Sequence, residues 1–128
     1  MQAQQLSLFK LLFCSSFLLT LLHLSTGTGL TTRCVKNGPS INQTQVGKAK
    51  FRVDVVNNCG TCPVTDIHVK CGRFPQSLVD PKMFKVLKFD DCVVNSGLPL
   101  LPLQTLSFNY SRPRKYPLFP TSWFFQCE

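Results

Sequence analysis

The chain has 128 residues, of which 44% are hydrophobic and seven are cysteine, and its formal net charge is +8. This length leaves room for one domain and excludes a multidomain architecture. The positive charge favours an acidic partner, such as an acidic polysaccharide, an acidic receptor face or a membrane surface. Solubility is the alternative interpretation of the same charge.

Residues 1–29 have the order of a secretory signal peptide. The positive charge of Lys10 precedes an apolar run over residues 11–24, and small residues at 25–29 supply a cleavage site. The apolar run is shorter than the about 20 residues that a membrane-spanning helix needs. We therefore predict cleavage near residues 27–29, secretion, no membrane insertion of the mature chain and no nucleic-acid partner.

The remaining residues, 30–128, are predicted to form a single cysteine-rich domain. Cys14 leaves with the signal peptide, so an even number of cysteines remains. In a short secreted chain this predicts a disulfide framework, whose pairing the sequence leaves open. The six cysteines are Cys34, Cys59, Cys62, Cys71, Cys92 and Cys127.

Residues 30–47 show no hydrophobic period and contain the turn signal Asn37-Gly38-Pro39. We predict an exposed, irregular arm that Cys34 ties to the domain. Asn42 begins an N-glycosylation sequon in this arm, and Asn109 begins a second one later in the chain.

Two stretches alternate with the period of a half-buried strand. In residues 48–56 the apolar positions alternate with charged ones, and in residues 65–72 Ile67, Val69 and Cys71 alternate with polar side chains. We predict two strands, the second antiparallel to the first through the short connection at residues 59–63.

The rest of the chain is predicted to be strand and turn, with at most one short helical turn. Residues 74–87 have some helical spacing, with Pro81 as a possible first helical residue. Residues 106–110 alternate as another strand, and residues 116–127 form a last strand with Trp123 and Cys127 on one face. Several short strands separated by turns predict an all-β fold, a small disulfide-stabilised β-sandwich.

The cysteines also allow two other chemistries. Cys59-Gly60-Thr61-Cys62 has the spacing of a redox pair, but no helix follows it to lower a thiol pKa. Cys59, Cys62, Cys71 and Cys92 could supply four zinc ligands. Because an oxidising compartment favours disulfides, we predict no metal and no cofactor.

Catalysis is not predicted. The mature chain has one histidine, His68, on the polar face of a predicted strand, and it lacks a Gly-x-Ser-x-Gly elbow. Asp90 and Asp91 are adjacent, and neighbouring side chains on an extended chain point to opposite sides, so a turn is favoured over a carboxylate pair. Exposed residues that the core does not require are better binding candidates. These candidates are Asp66, His68, Lys70, Asp90 and Asp91.

The basic segment at residues 112–115 is interpreted as a solvated loop, with a contact patch for an acidic partner as the alternative. A cell-wall carbohydrate-binding module is the main alternative function, because a small sandwich with exposed aromatics suits an acidic polysaccharide. A flat, exposed row of Tyr116, Phe119, Trp123 and Phe124 would favour it, and a buried Trp123 would count against it.

Several segments together resemble the plant tapetum determinant family, over about residues 34–127. They are NNCGTCPV at 57–64, DIHVKCG at 66–72, DDCVVN at 90–95, GLPL at 97–100, LSFNY at 106–110 and YPL at 116–118. The resemblance implies a small secreted signalling ligand in the apoplast, without enzymatic activity. It further implies that the partner is the ectodomain of a leucine-rich-repeat receptor kinase, and that the role is to direct cell fate in the anther.

Overall fold

The computed structural model describes Cys34 and residues 36–127, so the predicted signal peptide lies outside the described residues. The described chain is all-β, with seven strands in two antiparallel sheets and two 3-10 turns, at Gln76–Leu78 and Asn95–Gly97. The predicted fold class is therefore confirmed. The strands are β1 Ser40–Gly47, β2 Lys50–Val56, β3 Val64–Lys70, β4 Phe84–Lys88, β5 Asp91–Val94, β6 Thr105–Ser111 and β7 Phe119–Phe125.

The three-stranded sheet has the order β1-β2-β6. Its central strand, β2, buries Phe51, Val53 and Val55, while the side chains between them face outward. Val53 pairs with Phe108 of β6, so the apolar positions of both strands lie on the same inner face. The period-two pattern of the sequence is thus satisfied by one buried and one solvated face.

The four-stranded sheet has the order β4-β5-β3-β7. Here β3 buries Val64, Ile67 and Val69. Its pairing with β7 shifts register between Thr65 and His68, where Asp66 has a φ of +50°. This β-bulge lets both Val64 and Ile67 face the core although they are three residues apart.

The two inner faces and the loops that close them form one core. Its aromatic part is a cluster around Phe74, whose ring lies 5.2 Å from that of Phe84 and 5.3 Å from that of Tyr110. Such edge-on packing adds to the hydrophobic burial of each ring. The other large buried apolar side chains include Phe51, Val53, Val55, Val64, Ile67, Val69, Val94, Leu100, Phe108, Leu118 and Phe125.

The structure corrects two local predictions. Residues 40–47 form β1 rather than an irregular arm, because this largely polar segment pairs with β2 by its backbone. The strands β2 and β3 belong to different sheets, so the connection at residues 59–63 crosses the sandwich and is not a hairpin. Residues 74–87 contain no more than single turns, as predicted. After the 3-10 turn Gln76–Leu78, the carbonyl of Asp80 accepts hydrogen bonds from the backbone N–H groups of Met83 and Phe84, and residues 84–88 are then strand β4.

The described residues include no helix with the length and apolar character needed to cross a membrane.

Candidate functional site

The six cysteines that were predicted to be oxidised form three disulfides. They join Cys34 to Cys59, Cys62 to Cys127 and Cys71 to Cys92, with Cα–Cα distances of 5.3, 5.5 and 6.1 Å. All three distances lie in the ordinary range for a disulfide. The two cysteines of the Cys-x-x-Cys segment therefore have different partners, so the segment is an anchor for two distant parts of the chain.

The sulfur atoms of Cys34, Cys59 and Cys62 lie within 4.8 Å of one another, around the hydroxyl of Thr61. Each of these sulfurs belongs to a disulfide. Because the thiolate is the form that binds a metal, the oxidised cluster does not supply zinc ligands. Cys71 pairs with Cys92 instead of joining the cluster.

Four of the five predicted contact residues come together beside the outer face of the four-stranded sheet. The Nδ1 atom of His68 lies 2.8 Å from Oδ1 of Asp91, and the Nζ atom of Lys70 lies 3.7 Å from Oδ2 of Asp90. All four side chains are partly or largely exposed. The strands β3 and β5 are adjacent, which explains why residues about 20 positions apart form these pairs.

Two of the predicted contact residues also shape the backbone. Asp90 has a φ of +64°, and its Oδ1 accepts a hydrogen bond of 2.8 Å from the backbone N–H of Gly72. Asp66 occupies the left-handed region at the bulge in β3, and a Cβ on Gly97 would come within 2.8 Å of its Oδ1. Because Asp66 and Asp90 have a role in the backbone conformation, their exposure is a weaker argument for binding than the exposure of His68, Lys70 and Asp91.

Two further residues on the same surface were not among the predicted contact residues, and one of them, Phe119, was predicted only as part of an aromatic row. Phe119 pairs with Lys70 across β7 and β3, and its side chain is 60% exposed. Lys85 pairs with Val93, which in turn pairs with His68, so Lys85 projects from the same face. Only the strand order, which the sequence did not reveal, could have found them. We call this surface, formed by His68, Lys70, Lys85, Asp91 and Phe119, the His68 face.

The His68–Asp91 pair has the arrangement of two members of a serine hydrolase triad. Ser122 lies opposite His68 in the strand register. No hydrogen bond joins their side chains among the described residues. A triad needs that bond and an oxyanion hole beside it. The described residues therefore provide an imidazole oriented by a carboxylate, which is two of the three members that a triad needs.

The aromatic residues proposed for sugar stacking do not form a flat row. The ring of Tyr116 is covered by the Arg112 guanidinium, 3.6 Å from its centroid. Trp123 is 37% exposed and packs against Gly38, where a Cβ would clash with the indole. Phe119 and Phe124 are exposed, but they pair with opposite ends of β3. This geometry counts against a stacking platform on β7.

Both sequons lie on the outer face of the three-stranded sheet. Asn42 and Asn109 are exposed, and their registers place Asn42 beside Asp54 and Asn109 beside Arg52 on the central strand. We call this surface, formed by Asn42, Thr44, Arg52, Asp54 and Asn109, the Arg52 face. The Arg52 face belongs to the three-stranded sheet, whereas the His68 face belongs to the four-stranded sheet.

A family model described as "Tapetum determinant 1, C-terminal" matches residues 32–128. An uncharacterised protein of Arabidopsis thaliana is 50% identical over 125 residues, which cover 93% of this chain and 96% of the relative. The protein named TPD1 protein homolog 1, also from Arabidopsis thaliana, is 43% identical over 62% of this chain and 45% of its own length.

TPD1 protein homolog 1B of rice, Oryza sativa subsp. japonica, is 41% identical over 56% of this chain and 43% of its own length. The match thus spans less than half of each of these two named relatives. No solved structure gives a significant match to the chain.

Proposed function

Because this chain belongs to the Tapetum determinant 1 family of plant developmental signalling proteins, we propose that it is a secreted ligand of a receptor kinase. The partner in this proposal is the ectodomain of a leucine-rich-repeat receptor kinase, and the ligand directs cell fate in reproductive tissue. Three disulfides within about 100 residues support export to an oxidising compartment.

The observation that carries the proposal is the organised polar surface of the His68 face. His68 is held by Asp91 of the neighbouring strand β5 and Lys70 by Asp90 in the turn before it, and Phe119 adds exposed apolar area beside Lys70. Partly exposed ion pairs contribute little to folding stability. Charged groups that are oriented in advance instead give a protein interface its specificity and association rate. We therefore place receptor contact on this face.

The test is binding of the secreted chain to a panel of leucine-rich-repeat receptor ectodomains. We expect one ectodomain to bind, and the double substitution His68→Ala and Lys70→Ala to weaken its affinity at least about tenfold, since a hydrogen bond to a charged group contributes about 1.5–3 kcal/mol. Thermal stability should change little.

The Arg52 face supplies a matched control, because Arg52 and Asp54 form an ion pair of 3.3 Å on the other sheet. The substitutions Arg52→Ala and Ser107→Ala, the latter opposite Asp54 on β6, also remove one lysine or arginine charge and leave both sequons intact, so they should leave the affinity unchanged. Equal losses in both double variants would remove the His68 face from the proposal. Failure of every ectodomain to bind would contradict the receptor assignment itself.

A further inference from the structure

Five of the twelve lysines and arginines in the described part of the chain lie at one end of the three-stranded sheet. Lys48 and Lys50 lie in and after the β1–β2 turn, and Lys50 pairs with Ser111 at the end of β6. The backbone N–H of Arg112 donates a 2.8 Å hydrogen bond to the carbonyl of Ala49, which fixes the two segments side by side. We call this surface, formed by Lys48, Lys50, Arg112, Arg114 and Lys115, the basic end.

The carboxylates that could neutralise the basic end lie elsewhere. The two segments that form it contain no Asp or Glu. Of the acidic residues in the described part of the chain, Asp54 is bound by Arg52 and Ser107. The other four, Asp66, Asp80, Asp90 and Asp91, belong to the four-stranded sheet and its turns. Unneutralised cations on one surface produce a local positive potential that attracts polyanions.

The basic end is also held in a defined conformation. The guanidinium of Arg112 lies 3.6 Å from the centroid of the Tyr116 ring. The backbone N–H of Tyr116 donates to Oη of Tyr110, and its carbonyl accepts from Nε2 of Gln43. Because the loop is fixed at Tyr116, less conformational entropy is lost when its cations bind a ligand.

A small cleft opens next to the basic end. Its volume is about 240 Å³, which is below the roughly 300–1,000 Å³ of sites for drug-sized ligands and suits a single sugar residue. The exposed ring of Phe119 lies at its edge. Its lining combines apolar side chains with two polar ones: Ile41, Gln43, Lys115, Tyr116, Pro117, Leu118 and Phe119.

From these observations we propose that the basic end binds an acidic polysaccharide made of uronic acid residues. The cations engage successive carboxylates of the polymer, and the cleft accepts one of its sugar rings beside Lys115. A membrane is the less suitable polyanion, because the exposed leucines at 98, 101 and 103 belong to a loop at the opposite end, where the Leu103 N–H donates to the Cys59 carbonyl. This proposal does not rest on receptor binding, since its cations lie outside the His68 face, with which the cleft shares only Phe119.

The experiment measures binding of the full secreted chain to immobilised polygalacturonate over a range of salt concentrations. The triple variant Lys48→Gln, Arg114→Gln and Lys115→Gln removes three exposed charges from the basic end. The control Lys82→Gln, Lys85→Gln and Lys88→Gln removes three exposed charges from β4 and the turn before it, so both variants have the same net charge.

We expect the basic-end variant to bind at least tenfold more weakly. The slope of log affinity against log salt concentration should become shallower by about two to three, since about that many fewer counterions are released on binding. The control should stay within about twofold of the unchanged chain. Methyl-esterified pectin, which lacks the carboxylates, should not bind. Equal losses in both variants would show attraction by net charge alone and overturn the proposal. Tighter binding to phosphatidylserine vesicles than to polygalacturonate would overturn it in favour of a membrane.

Discussion

At the scale of single residues, Asn57 holds the loops at one end of the sandwich together. It is completely buried, and its Nδ2 donates to the carbonyls of Cys62, Leu100 and Leu101 at 2.9, 3.2 and 3.1 Å. Its Oδ1 accepts from the N–H of Cys59 at 3.0 Å. One amide side chain therefore bonds four backbone groups, of which the Leu100 and Leu101 carbonyls also accept from the N–H groups of Val64 and Gln104.

The substitution Asn57→Asp should destabilise the protein by about 3 kcal/mol or more, because a carboxylate cannot donate to the three carbonyls. Asn58→Asp is the matched control. Asn58 is exposed and makes one bond, of 2.9 Å, to the Gly38 carbonyl, so its loss should cost no more than about 1 kcal/mol. Urea unfolding of both variants measures the difference, and similar losses would contradict the role of Asn57.

Tyr110 connects the two residues that flank the cleft. Its Oη donates to Oε1 of Gln43 at 2.6 Å and accepts from the N–H of Tyr116 at 2.9 Å. Burial raises the pKa of the Tyr110 phenol above its usual value of 10.0, against the opposing effects of the Tyr116 N–H and the Arg112 charge. The folded state thus keeps the proton at a pH where the unfolded chain releases it.

The contribution of Tyr110 should therefore be complete below pH 10 and decrease as the pH rises through its folded pKa. Tyr110→Phe should cost about 1–3 kcal/mol at neutral pH, since Gln43 and the Tyr116 N–H lose a partner. It should also make the alkaline loss of stability less steep. Unfolding free energies of both proteins between pH 7 and 11 test this; parallel pH profiles would refute the assigned role.

At the scale of strands, the sequence predicted which side chains are buried more accurately than it predicted which strands pair. The alternations in β2 and β3 correctly separated buried from exposed side chains. β1 has mainly polar and exposed side chains, so its strand character comes from pairing with β2 and has no hydrophobic period to reveal it. Likewise Phe119 joined the His68 face only through the pairing of β7 with β3, a contact between residues about 50 positions apart.

The pairing of β1, β2 and β6 leads to a prediction about glycans. Asn42 and Asn109 project from the Arg52 face, with one strand between them, so both acceptors are accessible. In a eukaryotic secretory host we expect both to carry N-glycans. Asn42→Gln and Asn109→Gln should each lower the apparent mass on an electrophoresis gel by one glycan, and enzymatic deglycosylation should lower it by two.

Thr44→Val provides the control, because it destroys the first sequon while leaving Asn42 in place. It should reproduce the mobility of Asn42→Gln. If receptor contact is made by the His68 face, removal of both glycans should leave affinity unchanged. A chain that shows neither mobility step after passage through the secretory pathway would contradict the prediction.

At the scale of the whole molecule, the disulfides restrict the chain over unequal distances. Cys62 and Cys127 are 65 residues apart, whereas Cys71 and Cys92 are 21 apart and join neighbouring strands. A longer closed loop removes more conformational entropy from the unfolded state. The pairing could not be derived from the sequence, because it follows from which strand ends meet.

Replacing Cys62 and Cys127 by Ala should lower the free energy of unfolding by about 4 kcal/mol, and replacing Cys71 and Cys92 by about 3 kcal/mol, on the basis of loop length. Denaturant unfolding under non-reducing conditions measures both. The reverse order of losses would show that local packing, rather than loop closure, dominates the stabilisation.

The Cys-x-x-Cys turn determines how the protein is oriented when it is attached to a support by either end. Cys34 and Cys127, near the two limits of the domain, are both bonded to that turn. The turn follows the end of β2, whereas the basic end lies at its start, roughly 20 Å away along a strand of seven residues. A tether attached before Cys34 or after Cys127 would thus orient the protein in the same way. In both cases the lysine and arginine cluster would point away from the support.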